Sequence, residues 1–392
     1  MSRLEQLIAE LCPDGVELRS LGELCIILDS KRRPVTRKDR SSGEYPYYGA
    51  NGIQDYVGEY IFDGTFLLIG EDGSVINKDN SPVLTWATGK IWVNNHAHIL
   101  EETSELSLRF LFHYLQTVDI SPLVRGTPPK LNQQSLRNIP IPLPPLPVQR
   151  EIVRILDNFT ELTAELTAEL TAELTARKKQ YEYYRDEMLS LPNVPRVTLG
   201  EIGTITRGSG LQKSDLVNEG VPCIHYGQIY TYYGIHASKT KSFVTPQHAK
   251  SLKQVRKGDI VIAVTSENVE DVCKSVAWLG DENIVTGGHT AILQHSQNPL
   301  FISHYFQTKM FFEQKRKLAH GTKVIEVTPS KLEKVLIPIP PIAEQNRIVE
   351  ILEKFNILCN DLVTGLPAEI EARRKQYEYY RDKLLTFKEK SA

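Results

Sequence analysis

The 392-residue sequence has no long apolar run and little cysteine. No window approaches the roughly 18 consecutive apolar residues that suggest a membrane-spanning helix, and the start of the chain lacks the apolar core of a signal peptide. The five cysteines, at 12, 25, 223, 273 and 359, form neither a C-x-x-C pair nor a metal-like spacing. We therefore expect a cytosolic protein with reduced thiols, and neither membrane insertion nor secretion.

Signatures of nucleotide and metal sites are missing as well. There is no G-x-x-x-x-G-K-[ST] loop, and Thr88-Gly89-Lys90 matches only a fragment of one. His96 and His98 would lie on one face of a strand, but no third ligand is indicated, so a structural role is favoured over a metal pair. We predict neither a metal site nor a catalytic residue.

The charge of the chain is balanced overall and uneven locally. Its 46 Lys and Arg residues against 48 Asp and Glu residues give a net charge of -2, which argues against a uniformly basic surface. The segment KRRPVTRKDR, residues 31 to 40, nevertheless carries six cations and one acid. This density predicts a phosphate-binding patch, with a solvated loop as the alternative. The candidate residues are Lys31, Arg32, Arg33, Arg37, Lys38 and Arg40.

The clearest local pattern is ELTAELTAELTAELTA, residues 161 to 176. Ala, Leu and Glu favour helices, and neither Gly nor Pro interrupts the run. Each tetrapeptide would add roughly 6 Å to a helix and turn the leucine stripe by about 40°. We predict a helix over residues 148 to 191 that acts as a spacer of set length, with an ordinary amphipathic core helix as the alternative.

The chain also contains an internal repeat, which decides its architecture. Three pairs of segments lie 196 residues apart: IPLPP at 141 with IPIPP at 337, QREIVRILDNF at 149 with QNRIVEILEKF at 345, and ARKKQYEYYRDEML at 176 with ARRKQYEYYRDKLL at 372. Weaker pairs lie upstream at changing offsets: LGEL at 21 with LGEI at 199, HYLQ at 113 with HYFQ at 304, and Gly-Thr at 126 with Gly-Thr at 321. The sequence therefore alternates between variable and nearly fixed parts.

The length suits two or more domains, and the repeat suggests where they lie. We predict an N-terminal helix completing a circular repeat (1–17), a strand-rich domain (18–147), a first long helix (148–191), a second strand-rich domain (192–342) and a second helix (343–392) broken near Gly365–Pro367. Two like helices can bury their apolar stripes against each other when they pair antiparallel. The predicted fold class is α+β: two globular mixed α/β domains separated by two long, antiparallel, coiled-coil-like helices, with a pseudo-two-fold internal repeat.

The alternating order, the proline leads, the paired QYEYYRD helix ends and above all the TAEL tandem resemble the specificity (S) subunit of type I restriction-modification enzymes, and are most similar to the IC subfamily. The resemblance covers essentially the whole chain. It implies that each strand-rich domain is a target recognition domain reading one half of an asymmetric bipartite site in double-stranded DNA. The number of TAEL units in such proteins is associated with the length of the unread spacer.

The resemblance also implies the partners and cofactors. Two modification (methyltransferase) subunits carrying S-adenosylmethionine would dock on this chain, and restriction subunits using ATP and Mg would join them. The chain itself would bind no cofactor and catalyse no reaction. No membrane partner is implied.

Further candidates for DNA binding lie in polar, Gly-, Ser- and Thr-rich segments. They are Arg207, Lys213, Lys239 and Lys241 in the second domain, and Arg125, Lys130 and Lys323 in the two segments that share Gly-Thr. Arg and Lys side chains can contact phosphates or read bases. For each of these residues, the alternative is a surface position without a role in binding. The Gly-Thr segments could clamp the DNA backbone, and the alternative is that each forms a turn that ends its domain.

The aromatic helix ends are candidates for partner docking, because clustered tyrosine and arginine are typical of binding surfaces. They comprise Tyr181, Tyr183, Tyr184 and Arg185 in the first copy, and Tyr377, Tyr379, Tyr380 and Arg381 in the second. Some of these residues would instead lie in the core.

Two other functions are alternatives to this one. A solitary DNA methyltransferase would need a cofactor loop. Asn298-Pro-Leu-Phe301 partly resembles the Asn-Pro-Pro-Tyr/Phe tetrapeptide of amino-methyltransferases, but its third residue is Leu and no glycine-rich loop precedes it. A purely structural coiled-coil scaffold would show no preference among DNA sequences.

Overall fold

The computed structural model describes residues 2 to 360 and 365 to 390. The chain folds into two compact units: unit 1 comprises Met1–Ala168 and Glu371–Ala392, and unit 2 comprises Glu169–Ile370. The five segments predicted from the sequence divide the chain more finely than these units, and their boundaries stay a prediction.

The first part of the chain holds short helices, a set of strands and one very long helix. Its helices are α1 (Arg3–Leu11), α2 (Leu21–Leu24), α3 (Leu108–Leu115), α4 (Gln133–Arg137) and α5 (Leu146–Met188), with a 3-10 turn at Asp29–Lys31. Its strands are β1 (Leu18–Ser20), β2 (Ile26–Ile27), β3 (Ser42–Gly49), β4 (Gly52–Val57), β5 (Phe62–Gly70), β6 (Leu84–Val93), β7 (Ala97–Glu101) and β8 (Pro140–Pro142).

The second part has more and shorter strands. Its strands are β9 (Arg196–Thr198), β10 (Gly203–Arg207), β11 (Val221–Ile224), β12 (His236–Ala237), β13 (Ser242–Val244), β14 (Lys253–Val255), β15 (Ile260–Ala263), β16 (Thr265–Ser266), β17 (Ser275–Trp278), β18 (Ile284–Thr286), β19 (Thr290–His295), β20 (Ile325–Glu326) and β21 (Leu336–Pro338). Its helices are α6 (Leu199–Ile202), α7 (Tyr226–Thr231), α8 (Pro246–Ala249), α9 (Pro299–Tyr305), α10 (Lys309–Leu318), α11 (Pro329–Leu332), α12 (Ile342–Asn360) and α13 (Leu366–Leu385), with a 3-10 turn at Lys213–Asp215.

The sheets of the two units share a core and differ in the strands added to it. Unit 1 has one six-stranded sheet in the order β2-β7-β5-β6-β3-β4, antiparallel except for the β3–β6 pair. Unit 2 has a five-stranded sheet, β10-β19-β15-β17-β12, and a four-stranded sheet, β13-β11-β18-β14. Five strands of the unit 1 sheet nevertheless recur in unit 2 in the same order: β2-β7-β5-β6-β3 matches β10-β19-β15-β17-β12, and in both runs only the last pair is parallel. The two strand-rich domains therefore share a core sheet and differ in the strands added to it, β4 in unit 1 and the four-stranded sheet in unit 2.

Around these sheets, other elements recur as well. The proline lead β8 pairs antiparallel with β1, and its counterpart β21 pairs antiparallel with β9. The first glutamine of each long-helix repeat, Gln149 or Gln345, is fully buried and donates to a proline carbonyl at 2.8 Å, and its side-chain oxygen accepts a backbone N–H. The repeat seen in the sequence therefore extends to individual hydrogen bonds.

The predicted long helix is confirmed as α5, a continuous helix of 43 residues that includes every TAEL unit. At about 1.5 Å per residue it is roughly 64 Å long. Leu162 is exposed, and Leu166, Leu170 and Leu174 are half-buried. The tandem therefore does not fill a core, because none of its four leucines is fully covered.

The two ends of the chain meet in unit 1. Val16 accepts a hydrogen bond from Lys390 N at 3.0 Å and donates one to Lys388 O at 2.8 Å. Leu4 of α1 and Leu385 of α13 belong to the same buried core. The N-terminal helix thus packs in the unit that contains the end of the last helix.

The long helices run antiparallel where they meet within each unit. In unit 1, Phe159 of α5 contacts Tyr380 of α13, and a groove further along is lined by Leu166 of α5 and Arg373 of α13. In unit 2, Tyr184 of α5 contacts Phe355 of α12, and the charge of Lys178, earlier on α5, acts on Cys359, later on α12. Together with the mixed helix and sheet of each unit, this confirms the predicted fold class of two mixed α/β domains joined by long helices.

The second helix was predicted to break near Gly365–Pro367. The structure describes α12 up to Asn360 and α13 from Leu366, with Pro367 in the first turn of α13. Residues 361 to 364, where the sequence also placed part of the break, lie outside the described residues. Among the helices that the structure describes, none combines the length and the apolar character needed to cross a membrane.

Candidate nucleic-acid interface and partner surface

The six cations of residues 31 to 40 fall into two groups in unit 1. Lys31, Arg33, Arg37 and Lys38 are exposed, whereas Arg32 and Arg40 are half-buried. Arg40 forms an ion pair with Asp55 at 3.1 Å, and its guanidinium lies 4.1 Å from the centre of the Tyr47 ring. Arg40 therefore anchors the segment to the neighbouring strands, and the four exposed cations remain accessible to a ligand.

Arg32 is engaged in a buried polar network. Its guanidinium pairs with Glu71 and donates to the backbone carbonyl of Ala97 at 2.8 Å. Glu71 also pairs with Lys130 Nζ at 3.3 Å. The structure therefore brings together Arg32 and Lys130, two predicted DNA-binding residues that are far apart in the sequence, on one carboxylate.

Asp29 and His98 complete this network. Asp29 accepts hydrogen bonds from His98 Nδ1 at 2.6 Å and from Ile99 N at 3.0 Å. Burial raises the pKa of the Asp29 carboxyl, but the hydrogen bond and charge of His98 and the charge of Arg32 outweigh it, so the pKa lies below its usual value. The carboxylate is thus held in its charged form at neutral pH.

Three residues of this network lie as close together as the ligands of a metal site. Asp29, Glu71 and His98 each offer a ligand atom within 4.8 Å of the others. However, His98 Nδ1 lies 2.6 Å from the Asp29 carboxylate and His98 Nε2 lies 2.8 Å from the Leu131 carbonyl oxygen, so both ring nitrogens already have hydrogen-bond partners within the protein. His96 pairs instead with Asp72. The cluster is a hydrogen-bonded ion network that positions the basic segment.

The first Gly-Thr segment forms a closed, exposed loop. Arg125 and Lys130 exchange two backbone hydrogen bonds, of 2.9 and 2.8 Å, and the four residues between them are exposed. We call residues 125 to 130 Gly-Thr loop 1. Through Lys130 and Glu71, this loop is fixed beside the basic segment.

Unit 2 has a counterpart, residues 320 to 326, which we call Gly-Thr loop 2. His320 and Glu326 exchange backbone hydrogen bonds of 3.0 and 2.8 Å, and Lys323 is exposed at the tip. Arg207 reaches the closing residue, with Nη1 at 2.6 Å from Glu326 Oε1, and donates from Nε to the Gly288 carbonyl at 3.0 Å. In unit 2, as in unit 1, a residue predicted to bind DNA therefore contacts the Gly-Thr loop of the same unit.

The remaining candidates of unit 2 are exposed on other segments. Lys239 and Lys241 share the turn between β12 and β13, and Lys241 Nζ lies 4.6 Å from the centre of the Tyr232 ring. Lys213 lies in the 3-10 turn Lys213–Asp215. No contact in the described residues joins these three cations to Gly-Thr loop 2, and their role in DNA binding stays a prediction.

The eight residues of the aromatic helix ends divide by repeat position. The first tyrosine and the arginine of each copy turn inward: Tyr181 and Arg185 are buried, and Tyr377 and the Arg381 side chain are half-buried. The other two tyrosines turn outward in both copies: Tyr183 is 64% exposed and Tyr379 61%, and Tyr184 is 39% exposed and Tyr380 42%. Each of Tyr184 and Tyr380 contacts the phenylalanine of its unit, with ring centres 6.1 Å apart.

Sequence reasoning missed a histidine–acid pair in each unit. His113 Nε2 lies 2.8 Å from Asp157 Oδ1, and His304 Nε2 lies 2.9 Å from Glu353 Oε1. Both histidines are buried and join a short helix to the long helix behind it. The signal was present, because Asp157 and Glu353 occupy the same place in the repeats, 196 residues apart, and the histidines begin HYLQ and HYFQ.

The Asn298-Pro-Leu-Phe301 tetrapeptide has an ordinary structural role. Asn298 caps α9, with its side-chain oxygen accepting from Leu300 N at 2.9 Å and Phe301 N at 3.2 Å. Its amide nitrogen donates to Asn346 at 2.7 Å. The side chain is thereby used in a helix cap, which removes the motif's support for a methyltransferase site.

Comparisons with known sequences agree with the arrangement of two related units. The family model described as type I restriction modification DNA specificity domain matches residues 13–176 and 193–372. A Haemophilus influenzae protein named as a type I restriction enzyme specificity subunit is 38% identical over 386 residues, covering 95% of this chain and 96% of the relative. The Escherichia coli EcoR124I/EcoR124II specificity subunit is 36% identical over 296 residues, which is 71% of each chain.

Solved structures share the fold. A chain from a structure of complex assembly and conformational transition in the type I R-M system is similar with a TM-score of 0.66 at 19% identity, covering 95% of this chain and 98% of that one. The HsdS subunit from Thermoanaerobacter tengcongensis is similar with a TM-score of 0.53 at 20% identity, covering 96% and 97%. With a family model matching both halves and a relative alike over nearly its whole length, the chain belongs to the family of type I restriction-modification DNA specificity (S) subunits.

Proposed function

We propose that this chain is the DNA-reading subunit of a type I restriction-modification complex and that each unit reads one half of an asymmetric bipartite site. The observation that carries the proposal is a frame that recurs in both units, made of helices, proline-led strands and one order of five strands, to which each unit adds different strands. A repeated scaffold suits a ligand whose two halves are presented in the same way. Different added strands suit halves that differ in sequence.

The cations support nucleic acid as the ligand. Exposed lysines and arginines cluster at residues 31 to 40 and Gly-Thr loop 1 in unit 1, and lie at Gly-Thr loop 2 and the 239 to 241 turn in unit 2. The net charge of the chain is close to zero, so these are local concentrations. Such clusters provide the electrostatic part of DNA binding, while bases are read by side chains in the grooves.

Two modification subunits, one on each helix end, are the partners we propose. The support is the near-identity of the two aromatic surfaces, in which Tyr183 and Tyr379 have nearly the same exposure, as do Tyr184 and Tyr380. Two equivalent surfaces on one chain suit two copies of one partner. Restriction subunits would add to that core.

The cofactors follow from this division of labour. S-adenosylmethionine would be bound by the modification subunits, and ATP and Mg by the restriction subunits, so that this chain supplies sequence recognition and no chemistry. The complex would act on DNA in the cytoplasm. The length of α5, which contains the TAEL tandem, would set the length of the unread spacer.

Mapping methylated adenines tests the proposal in a host that carries the complete system, with and without this chain. We expect methylation that depends on the chain at one bipartite sequence, with two dissimilar halves separated by a spacer of fixed length. Methylation that persists without the chain would contradict the proposal. So would a single uninterrupted recognition sequence.

A further inference from the structure

We infer that Gly-Thr loops 1 and 2 are equivalent contacts to the sugar-phosphate backbone of DNA, one in each half of the site, and that they read no base. The inference rests on the proposed function and assigns a task within it. It separates residues that hold the duplex from residues that read its sequence.

The two loops have the same construction on unlike domains. Each is closed by a reciprocal pair of backbone hydrogen bonds, Arg125 with Lys130 and His320 with Glu326. The second residue of each loop is a glycine in the left-handed region, at φ +84° for Gly126 and +110° for Gly321. Residues that carry a side chain rarely adopt these backbone angles, so a glycine is needed to form the turn.

A structural element that is the same in both units cannot read base sequences that differ between the two half-sites. The strands added to the shared sheet differ between the two units, and these additions are able to carry sequence preference. The loops are alike, and the part of a DNA site that is alike in both halves is the sugar-phosphate backbone. A shared loop therefore suits the shared part of the ligand.

The exposed atoms of the loops suit phosphate. Thr127 and Thr322 are exposed, and threonine hydroxyls are common phosphate ligands. Arg125 is an exposed cation on loop 1, and Lys323 on loop 2. Each loop thus offers a hydroxyl and a positive charge next to a glycine that lets the backbone approach closely.

Ion pairs also fix the position of each loop within its unit. Lys130 closes loop 1 and is tied through Glu71 to Arg32. Glu326 closes loop 2 and is tied to Arg207. Since each tie leads to a strand-rich domain of the same unit, a phosphate held by the loop would set the register of that domain on the duplex.

Salt dependence of binding tests the inference in the assembled complex of the full chain with its modification subunits. The variants are Arg125→Gln and Lys323→Gln, and Lys78→Gln removes an exposed charge of unit 1 outside the loop as the matched control. Two duplexes are compared, one with the methylation-mapped site and one with a scrambled half-site. Arg125→Lys tests whether a positive charge is sufficient.

We expect each loop variant to weaken binding to both duplexes by the same factor and to leave the methylated sequence unchanged. The slope of log K against log salt should fall in magnitude by about 1, the value for one lost phosphate contact. Between roughly 50 and 200 mM salt, the wild type should therefore lose about 3.5-fold more affinity than the variant. Lys78→Gln should keep the wild-type slope, and Arg125→Lys should restore it.

Three results would overturn the inference. A changed methylated sequence would make the loop a base reader, and an unchanged slope with normal affinity would give it no part in binding. Loss of modification subunits in native mass spectrometry, with the slope unchanged, would make it a partner surface. Failure of the proposed function itself would look different, because the wild-type complex would then bind the mapped and scrambled duplexes equally.

Discussion

Replacing Glu353 by Gln probes how the long helix of unit 2 is fastened to its strand-rich domain. The Glu353 carboxylate lies 2.9 Å from His304 Nε2 and 3.2 Å from His236 Nε2, and its side chain is 19% exposed. Burial alone would raise the pKa of this carboxyl. The contacts and charges of the two histidines outweigh burial and bring the pKa from 4.5 to about 2.

This difference sets the size and the sign of the effect. At about 1.4 kcal/mol for each pKa unit, the fall from 4.5 to about 2 corresponds to about 3.5 kcal/mol, and solvent screening of the partly exposed carboxylate reduces this to roughly 3 kcal/mol. Because the folded value lies below the unfolded one, the contribution is complete above about pH 4.5 and is lost as the pH falls toward 2. Glu353→Gln removes the charge at every pH. It should therefore lower the free energy of unfolding of unit 2 by about 3 kcal/mol at pH 7, and by less below pH 4.5.

Urea unfolding of the full chain measures this change in the free energy of unfolding of unit 2. Trp278 reports on unit 2 when Trp86 and Trp92, both in unit 1, are replaced by Phe. The matched control is Glu350→Gln, which makes the same change on the same helix at an exposed pair with Lys354 and should leave the unfolding midpoint in place. Equal midpoints for the two variants at pH 7 would refute the reasoning, as would a cost for Glu353→Gln that grows as the pH falls.

Three further predictions concern the helices. Deleting residues 165 to 168, one tetrapeptide, shortens α5 by roughly 6 Å and should change the separation of the methylated half-sites while leaving both half-sites unchanged; methylation mapping shows whether it does. Tyr183→Ala and Tyr379→Ala should each cost the complex one modification subunit, as counted by native mass spectrometry, and the double variant should lose both. Tyr181→Phe removes a hydrogen bond to a buried histidine and should lower the free energy of unfolding by about 1 kcal/mol, whereas Tyr377→Phe, whose hydroxyl meets an exposed threonine, should cost less in the same urea assay.

The helices and their pairing were predictable because the repeat records them twice. A TAEL tandem without Gly or Pro has few alternatives to a helix, and a constant offset of 196 residues shows that both copies keep one register. The same offset aligns Gln149 with Gln345 and Phe159 with Phe355, which make matching contacts in the structure. Local propensity and repetition were sufficient there.

The fate of individual cations was not predictable, because it depends on acids supplied by distant segments. Arg32 meets Glu71, 39 residues away, and Arg207 meets Glu326. Nothing in KRRPVTRKDR distinguishes Arg32, which is engaged internally, from Arg33, which is exposed. The sheets bring these partners together, and their order could not be read from short strands of similar composition.

The most direct test of the account exchanges one domain and maps methylation. Residues 18 to 140 are replaced by the matching segment of another S subunit, in the full chain and with the complete set of partner subunits. If each unit reads its own half-site, one half of the methylated sequence will change, while the other half and the spacer length stay the same. Changes in both halves, or in neither, would contradict the division of reading between two unlike domains.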